Sequence, residues 1–157
     1  MTEHVPLPDF DLSRFMPHRL AVAAQRTSEE LARQYRDRCG ISIPEWRVLV
    51  HLSQAEDVSV RDIEARVAME KSKVSRAATR LEQQGLVTKA QNAGDRRLVR
   101  LKLTAQGHTL MTELLPLAET YQREIEQRLG VAFAQLEAGL TALLQENTLR
   151  EGAGPAD

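Results

Sequence analysis

Residues 71–87 read KSKVSRAATRLEQQGLV, and apolar side chains recur in this stretch at steps of three and four. That spacing places them on one side of a helix with 3.6 residues per turn. Gly85 is a typical helix stop, so we predict a helix from about Glu70 to Gln84. Its inward positions are Val74, Ala77, Ala78 and Leu81.

The opposite side of this helix is polar and suited to contact nucleic acid. Short hydroxyl side chains let the backbone approach a partner closely, and an arginine can donate two parallel hydrogen bonds to guanine. An ordinary solvent-exposed helix face has a similar composition, so the neighbouring segments decide between the two interpretations. The candidate contact residues are Ser72, Lys73, Ser75, Arg76, Thr79 and Arg80.

A shorter helix is predicted just before this one, over residues 59–66. It begins at Ser59, and Asp62 lies three positions on, where its carboxylate can accept a hydrogen bond from the free amide at the helix start. Three or four residues join the two helices. Two short helices with so brief a connection are typical of a helix-turn-helix.

After Gly85 the periodicity changes from helical to alternating. Residues 86–90 and 98–103 predict two strands, and residues 91–96 predict the turn between them. The result is a β-hairpin attached directly behind the helix-turn-helix, a winged arrangement.

The basic side chains are concentrated in this central part of the chain. Residues 71–100 hold eight basic and two acidic side chains, a net charge of +6, whereas the whole chain of 157 residues carries −1. Such a segment is expected on a surface that binds a polyanion, because each neutralised phosphate releases counterions. A merely solvated charged face is the alternative.

Amphipathic helices flank the winged unit. We predict one over residues 12–38, closed by Gly40, and another over residues 42–54, opened by a Ser-x-x-Glu capping box at Ser42. Residues 104–148 predict two more. The flanking segments 12–38 and 104–148 carry more apolar surface than so small a central unit covers, so pairing with a second copy is expected.

The predicted fold is therefore mainly α with a small β-hairpin wing. Residues 1–157 form one domain in this prediction, with the winged helix-turn-helix lobe at 42–103. No apolar run is long enough to span a membrane, and the acidic, proline-interrupted N-terminus is unlike a targeting signal, so a cytoplasmic protein is expected. No phosphate-binding glycine loop, nucleophile motif or paired metal ligand is present, so we expect no enzyme activity, metal or cofactor.

In this order of elements the chain resembles the MarR family of winged helix-turn-helix transcription regulators. Three segments carry the resemblance: residues 74–87, Asp95-x-Arg97 and residues 103–107, LTAQG. The resemblance implies a homodimer on a pseudo-palindromic double-stranded DNA operator, with the fourth helix in the major groove and Arg97 of the wing in the minor groove. Asp95 is placed to orient Arg97 by a charge-assisted hydrogen bond, and Arg96 is assigned to phosphates or solvent. An exposed ion pair is the alternative for the wing residues.

The resemblance also implies a pocket for a small aromatic carboxylate or its thioester, whose binding releases a repressor from DNA. An apolar wall with one or two cations suits such an anion. A single tryptophan such as Trp46 is more often a core residue than a ligand contact. The candidate pocket residues are His18, Arg19, Arg26, Trp46 and His51.

Two alternatives stay open. Cys39 could be a redox sensor, but its place at a helix C-terminus favours a structural role, because the helix dipole raises the pKa of a thiol there. The winged lobe could also serve as a protein-interaction or dimerisation module without specific DNA readout.

Overall fold

The computed structural model describes residues 5–55, 58–67, 69–91, 93–95 and 99–152, the last seven of them by their backbone alone. These residues form a mainly helical structure with a small antiparallel sheet, which confirms the predicted fold class. The helices are α1 (Met16–Cys39), α2 (Ile43–Gln54), α3 (Val60–Val67), α4 (Lys71–Gln83), α5 (Ala105–Leu129) and α6 (Val131–Gly152), and the strands are β1 (Val58–Ser59), β2 (Val87–Gln91) and β3 (Val99–Leu103). A short 3-10 helix, Leu12–Arg14, precedes α1.

The chain divides into two compact units, Met1–Leu114 and Leu115–Asp157. The first unit contains the winged lobe together with α1 and the start of α5. The predicted winged lobe covers residues 42–103, so the first unit extends beyond it at both ends. The organisation as one domain stays a prediction.

The helix starts follow the signals in the sequence. Ser42 and Glu45 form a reciprocal capping box at the start of α2, with the Glu45 amide donating to the Ser42 hydroxyl at 3.3 Å and the Ser42 amide donating to the Glu45 carboxylate at 3.1 Å. At the start of α3 the Asp62 amide donates to the Ser59 hydroxyl at 3.1 Å. The Ser59 hydroxyl in turn donates to the Asp62 carboxylate, and this hydrogen bond holds the pKa of that carboxyl below its usual range. Satisfying the free amides of the first turn fixes where each helix begins.

The sheet contains one strand more than the predicted hairpin. Its order is β1-β3-β2, with Val58 opposite Leu101 on one side of β3 and Lys89 opposite Leu101 on the other. Strand β1 is two residues long, too short for an alternating pattern to appear in the sequence. It ties the beginning of α3 to the wing.

The core of the first unit lies where α2, α3 and α4 meet the sheet. Only the C-terminal part of α1 contributes, through Ala32 and Tyr35, whereas Phe15 just before the helix and Ala24 in its first half are exposed. The core side chains on α2 to β3 are Val48, Leu49, Leu52, Val58, Ile63, Val74, Ala77, Ala78, Leu81, Leu86, Val87, Leu101 and Leu103.

Candidate nucleic-acid interface

Helix α4 has a polar outer face, and its opposite face is buried. The four predicted inward residues, Val74, Ala77, Ala78 and Leu81, are all buried. Among the six predicted contact residues, Thr79 is half-buried and the others are exposed: Ser72, Lys73, Ser75, Arg76 and Arg80. The helical period thus sorts the two sets as expected, although their contact with DNA stays a prediction.

One flank of α4 faces the beginning of α2 across a small cleft of about 210 Å³. Arg80 lies there, 3.9 Å from the carboxylate of Glu45, whose side chain is only 3% exposed. Glu45 therefore takes part in the capping box of α2 and also in an ion pair with Arg80 of α4. The cleft is lined by Ser42, Pro44, Glu45, Lys73, Arg76, Ala77 and Arg80.

The other flank of α4 faces α3 and the hairpin across a larger cleft of about 500 Å³. Here the Lys89 ammonium donates a hydrogen bond to the Thr79 hydroxyl at 2.7 Å. The Thr79 hydroxyl donates in turn to the Ser75 carbonyl oxygen at 3.0 Å. The cleft is lined by Val60, Arg61, Glu64, Lys71, Ser75, Ala78, Lys89, Asp95 and Val99.

Arg76 lies in the middle of the outer face. Its Nε donates to the Ser72 carbonyl oxygen at 3.3 Å, so the guanidinium is held against its own helix. A guanidinium carries five donor hydrogens. The two terminal nitrogens, which form the fork that matches guanine, are the part of this side chain that can address a base.

Two of the predicted wing residues, Arg96 and Arg97, lie outside the described residues. Asp95 is described and exposed, and it lines the cleft beside Lys89 and Lys71. The predicted pairing of Asp95 with Arg97 therefore stays a prediction.

A compact joint connects the hairpin to α4 and α5. Gly85 adopts a positive φ of 73°, and the Thr104 hydroxyl donates to its carbonyl oxygen at 2.7 Å. The Thr104 amide donates to the Leu86 carbonyl at 3.0 Å, and the Gly107 amide donates to the Thr104 hydroxyl at 3.0 Å. A Cβ atom at Gly107 would collide with the Leu86 carbonyl. The two sequence segments of the resemblance that flank the hairpin therefore meet in space and fix its base.

Sequence reasoning missed three polar residues beside α4. Arg61 on α3 and Lys71 at the start of α4 line the wing-side cleft, and Ser42 lines the opposite cleft. Lys71 was counted in the basic segment but was not assigned to the interface. Helical spacing could have predicted the exposure of Arg61. It lies two positions before Ile63 on α3 and therefore on a different side of the helix, and Arg61 is exposed whereas Ile63 is buried.

The predicted pocket residues do not come together within one chain. His18, Arg19 and Arg26 are exposed on the first half of α1. Trp46 stacks on Tyr35 near the other end of that helix, with ring centroids 5.0 Å apart and the planes inclined by 19°. At 1.5 Å per residue, Arg19 and Tyr35 are separated by about 24 Å along the helix axis. Burial raises the pKa of Tyr35 to about 12.

His51 lies apart from this stack, on the side of α2 that faces α3. Its Nε2 atom is enclosed and has no hydrogen-bond partner among the described residues. Burial lowers the pKa of His51, and the nearby positive charge of Arg66 lowers it further, against a smaller opposite effect of Asp62. The neutral form of the imidazole is therefore favoured.

Cys39 is half-buried at the end of α1. Its thiol donates to the Tyr35 carbonyl oxygen at 3.0 Å, and burial raises the pKa of the thiol. A raised pKa keeps the thiol protonated, which favours the structural interpretation of this residue.

The described residues contain no group of three or more His, Cys, Asp or Glu side chains arranged to hold a metal ion. In the same part of the chain, no helix combines the length and the apolar character needed to cross a bilayer.

A helix-turn-helix followed by a hairpin, with a basic and hydroxyl-rich face on its second helix, defines the class of winged helix-turn-helix DNA-binding regulators. Comparison with known proteins identifies the branch of this class. A model of the MarR family matches residues 40–98, from the end of α1 into the wing. The organic hydroperoxide resistance transcriptional regulator of Bacillus subtilis (strain 168) is 25% identical over 133 residues, which cover 83% of this chain and 90% of that protein.

Two solved structures extend the likeness to the fold. SPO1453, a MarR-family transcriptional regulator from Silicibacter pomeroyi DSS-3, is 25% identical with a TM-score of 0.73, covering 87% of this chain and 98% of its own. NadR in complex with 4-hydroxyphenylacetate is 25% identical with a TM-score of 0.70, covering 88% of this chain and 97% of its own. The family model and these relatives support a MarR-family winged-helix regulator, and the relatives themselves are transcriptional regulators rather than enzymes.

Proposed function

We propose that the chain is a homodimeric repressor that binds a pseudo-palindromic DNA operator and is released from it by an aromatic acid. The observation that carries the DNA-binding part is the outer face of α4, which is polar along its length and contacted from both flanks by Glu45 and Lys89. A helix held in this way can enter a major groove with its side chains already placed. The proposed contacts are Ser72, Lys73, Ser75, Arg76, Thr79 and Arg80 on α4, with Asp95, Arg96 and Arg97 on the wing.

Exposed apolar side chains support the proposed dimer. In the N-terminal arm, residues 5–16, the side chain of Leu7 is 92% exposed. On α6, Val131 is 86% exposed and Leu144 is 68% exposed. Large apolar side chains that repeat along a surface are typical of an interface between chains. Further exposed members of the two sets are Val5, Phe10, Leu12, Phe15 and Met16 in the arm, and Leu136, Leu140 and Leu143 on α6.

A two-fold dimer fixes the form of the operator. Two α4 helices related by the symmetry axis bind two half-sites about one helical turn apart, roughly 34–36 Å from centre to centre. A protein held on such a site excludes other proteins from the same DNA, which is the physical basis of the proposed repression. Because it acts on chromosomal DNA, the proposed place of action is the cytoplasm.

Operator selection from a random DNA library, followed by footprinting, tests this function. We expect enriched sequences with an inverted repeat and a footprint that covers both halves. Affinity should fall steeply as salt rises, with a slope of log K against log salt near −0.9 for each phosphate contacted. A protein-interaction module would give neither an enriched sequence nor that slope.

The effector is proposed to be a small aromatic carboxylate or its thioester. The support is the 4-hydroxyphenylacetate bound to NadR, together with exposed cations on α1 and a stacked indole on α2 in this chain. Since Arg19 lies about 24 Å along α1 from Tyr35, on which Trp46 stacks, we propose that the second copy completes the pocket. The residues proposed to contribute are His18, Arg19, Arg26, Trp46 and His51.

Calorimetric titration of hydroxybenzoates, hydroxycinnamates and their thioesters, with and without the selected operator, tests the effector. Coupling of about 1–3 kcal/mol is typical between two linked sites, and operator DNA must weaken effector binding by the same factor that the effector weakens DNA binding. Arg26→Ala should reduce the effector affinity, whereas Arg38→Ala, at an exposed position in the last turn of the same helix, serves as the matched control. Equal effector affinity in both titrations would contradict the proposed release.

A further inference from the structure

Lys89 lies on the inner face of the wing. Side chains alternate across a strand, so Lys89 shares a face of β2 with buried Val87, while Thr88 and Ala90 point to solvent. Its cross-strand neighbour is Leu101, which is fully buried. The aliphatic stem of Lys89 therefore lies over the core, and only its ammonium group reaches the edge of α4.

The ammonium group is engaged in a chain of two hydrogen bonds. It donates to the Thr79 hydroxyl at 2.7 Å, and that hydroxyl donates its single proton to the Ser75 carbonyl at 3.0 Å. The chain runs from the wing through one side chain to the backbone of α4. A hydrogen bond with an ionised donor is stronger than one between neutral groups, so this link fixes the distance between strand and helix.

We propose that Lys89 is a positioning residue that sets the wing against α4 through Thr79 and does not neutralise a DNA phosphate. This inference rests on the proposed DNA-binding function. Phosphate contact on this flank then falls to the exposed cations Arg61 and Lys71, which line the same cleft. The number of basic side chains in the segment thus overstates the number that meet DNA.

The two roles of Lys89 give different results in a salt titration of binding to a random-sequence duplex. The variants are Lys89→Met, Thr79→Val and the double variant. Positioning predicts that Lys89→Met and Thr79→Val each weaken binding by a similar factor, about fivefold, and that the double variant is no weaker than either. The salt slope of each variant stays at the wild-type value.

Lys102→Met is the matched control, because Lys102 is an exposed lysine on the neighbouring strand β3. A salt slope reduced by about 0.9 in Lys89→Met, with unchanged binding by Thr79→Val, would show a phosphate contact and overturn the proposal. Additive losses in the double variant would also overturn it, since independent sites add.

Amide hydrogen exchange in the free protein separates this inference from the proposed function. We expect Lys89→Met and Thr79→Val to speed exchange at the same amides of β2 and β3, while Lys102→Met leaves them unchanged. That result with no salt-dependent DNA binding by the wild type would contradict the DNA-binding function and retain the link. Unchanged exchange in both variants would contradict the link itself. Because valine closely matches threonine in shape, Thr79→Val keeps the test available if Lys89→Met fails to fold.

Discussion

The outer face of α4 and the outer face of α6 are both exposed, but for opposite reasons. Around α4 the exposed groups are hydroxyls and cations, and Thr79 and Arg80 have partners on neighbouring elements. On α6 the exposed groups include leucines at steps of three and four. A polar face loses little by remaining in water, whereas an apolar face gains from burial in proportion to its area. The first is suited to a charged partner and the second to another copy of the chain.

Disruption of the apolar face should have the largest effect. Leu136→Glu with Leu140→Glu places two charges on the exposed stripe of α6, and we expect a monomer of 17.6 kDa by light scattering. Losing simultaneous contact with two half-sites should lower operator affinity by about 100-fold or more. Gln135→Glu, at an exposed polar position of the same helix, is the control. A dimer that survives the double substitution would show that α6 is not the interface.

The joint behind the polar face gives the next effect. Gly107→Ala should reduce the free energy of unfolding by about 1–3 kcal/mol, because its methyl group has no room beside the Leu86 carbonyl. Gly139→Ala on α6 meets nothing within 4 Å and should instead be stabilising, by about 0.5–1 kcal/mol. Urea unfolding of both variants measures this difference. If Gly107→Ala were as stable as Gly139→Ala, the joint would be able to shift and accept a side chain.

Base readout by the polar face is tested by Arg76→Ala. If the terminal nitrogens of Arg76 contact a base, the substitution should cost about 1–3 kcal/mol on the selected operator and less on random DNA. Arg97→Ala should do the same at the wing, and Lys71→Ala should weaken both kinds of DNA alike. Competition binding with operator and random duplexes checks the pattern. An Arg76→Ala protein with unchanged preference for the operator would place this residue outside base readout.

The smallest expected effect is a dependence of the stability of the winged lobe on pH, through His51. Its pKa in the folded state is below the ordinary value of 6.5, so the unfolded chain binds the proton more readily. Stability is therefore complete above about pH 6.5 and falls as pH drops below it towards the folded pKa. Thermal unfolding from pH 8 to pH 5 should show a shallower loss in His51→Gln than in the wild type. His108→Gln, at an exposed position, should follow the wild type.

The sequence predicted the helices well where local chemistry determines them. Ser42 with Glu45 and Ser59 with Asp62 mark helix starts because a first turn needs partners for its free amides, and these partners are close in sequence. The inward face of α4 was predicted completely for a similar reason, since a period of 3.6 is a local property. Strand β1 was missed because its pairing with β3 involves residues about forty positions away, Val58 and Leu101.

The candidate site was predicted less well, because charge in a sequence does not show where a charge is used. Lys89 and Arg80 count alike in the basic segment, yet each has a partner that belongs to another element. The same holds for the predicted pocket: Arg19 and Trp46 suit one ligand chemically, but about 24 Å of α1 separate Arg19 from Tyr35, on which Trp46 stacks. Chemical type is read from the sequence, whereas convergence of side chains depends on tertiary structure.

The joint at the base of the hairpin has a consequence for how far such a chain can diverge. Its hydrogen bonds join main-chain atoms of Gly85, Leu86, Thr104 and Gly107, and the Thr104 hydroxyl is the one side-chain atom in the bonds described. Geometry held by main-chain atoms is indifferent to most amino-acid replacements. Three features constrain the choice of residue: the positive φ of Gly85, the hydroxyl at position 104 and the missing side chain at position 107. Most other positions around the joint are therefore free to vary. In keeping with this, SPO1453 is only 25% identical to this chain although the two folds superpose with a TM-score of 0.73.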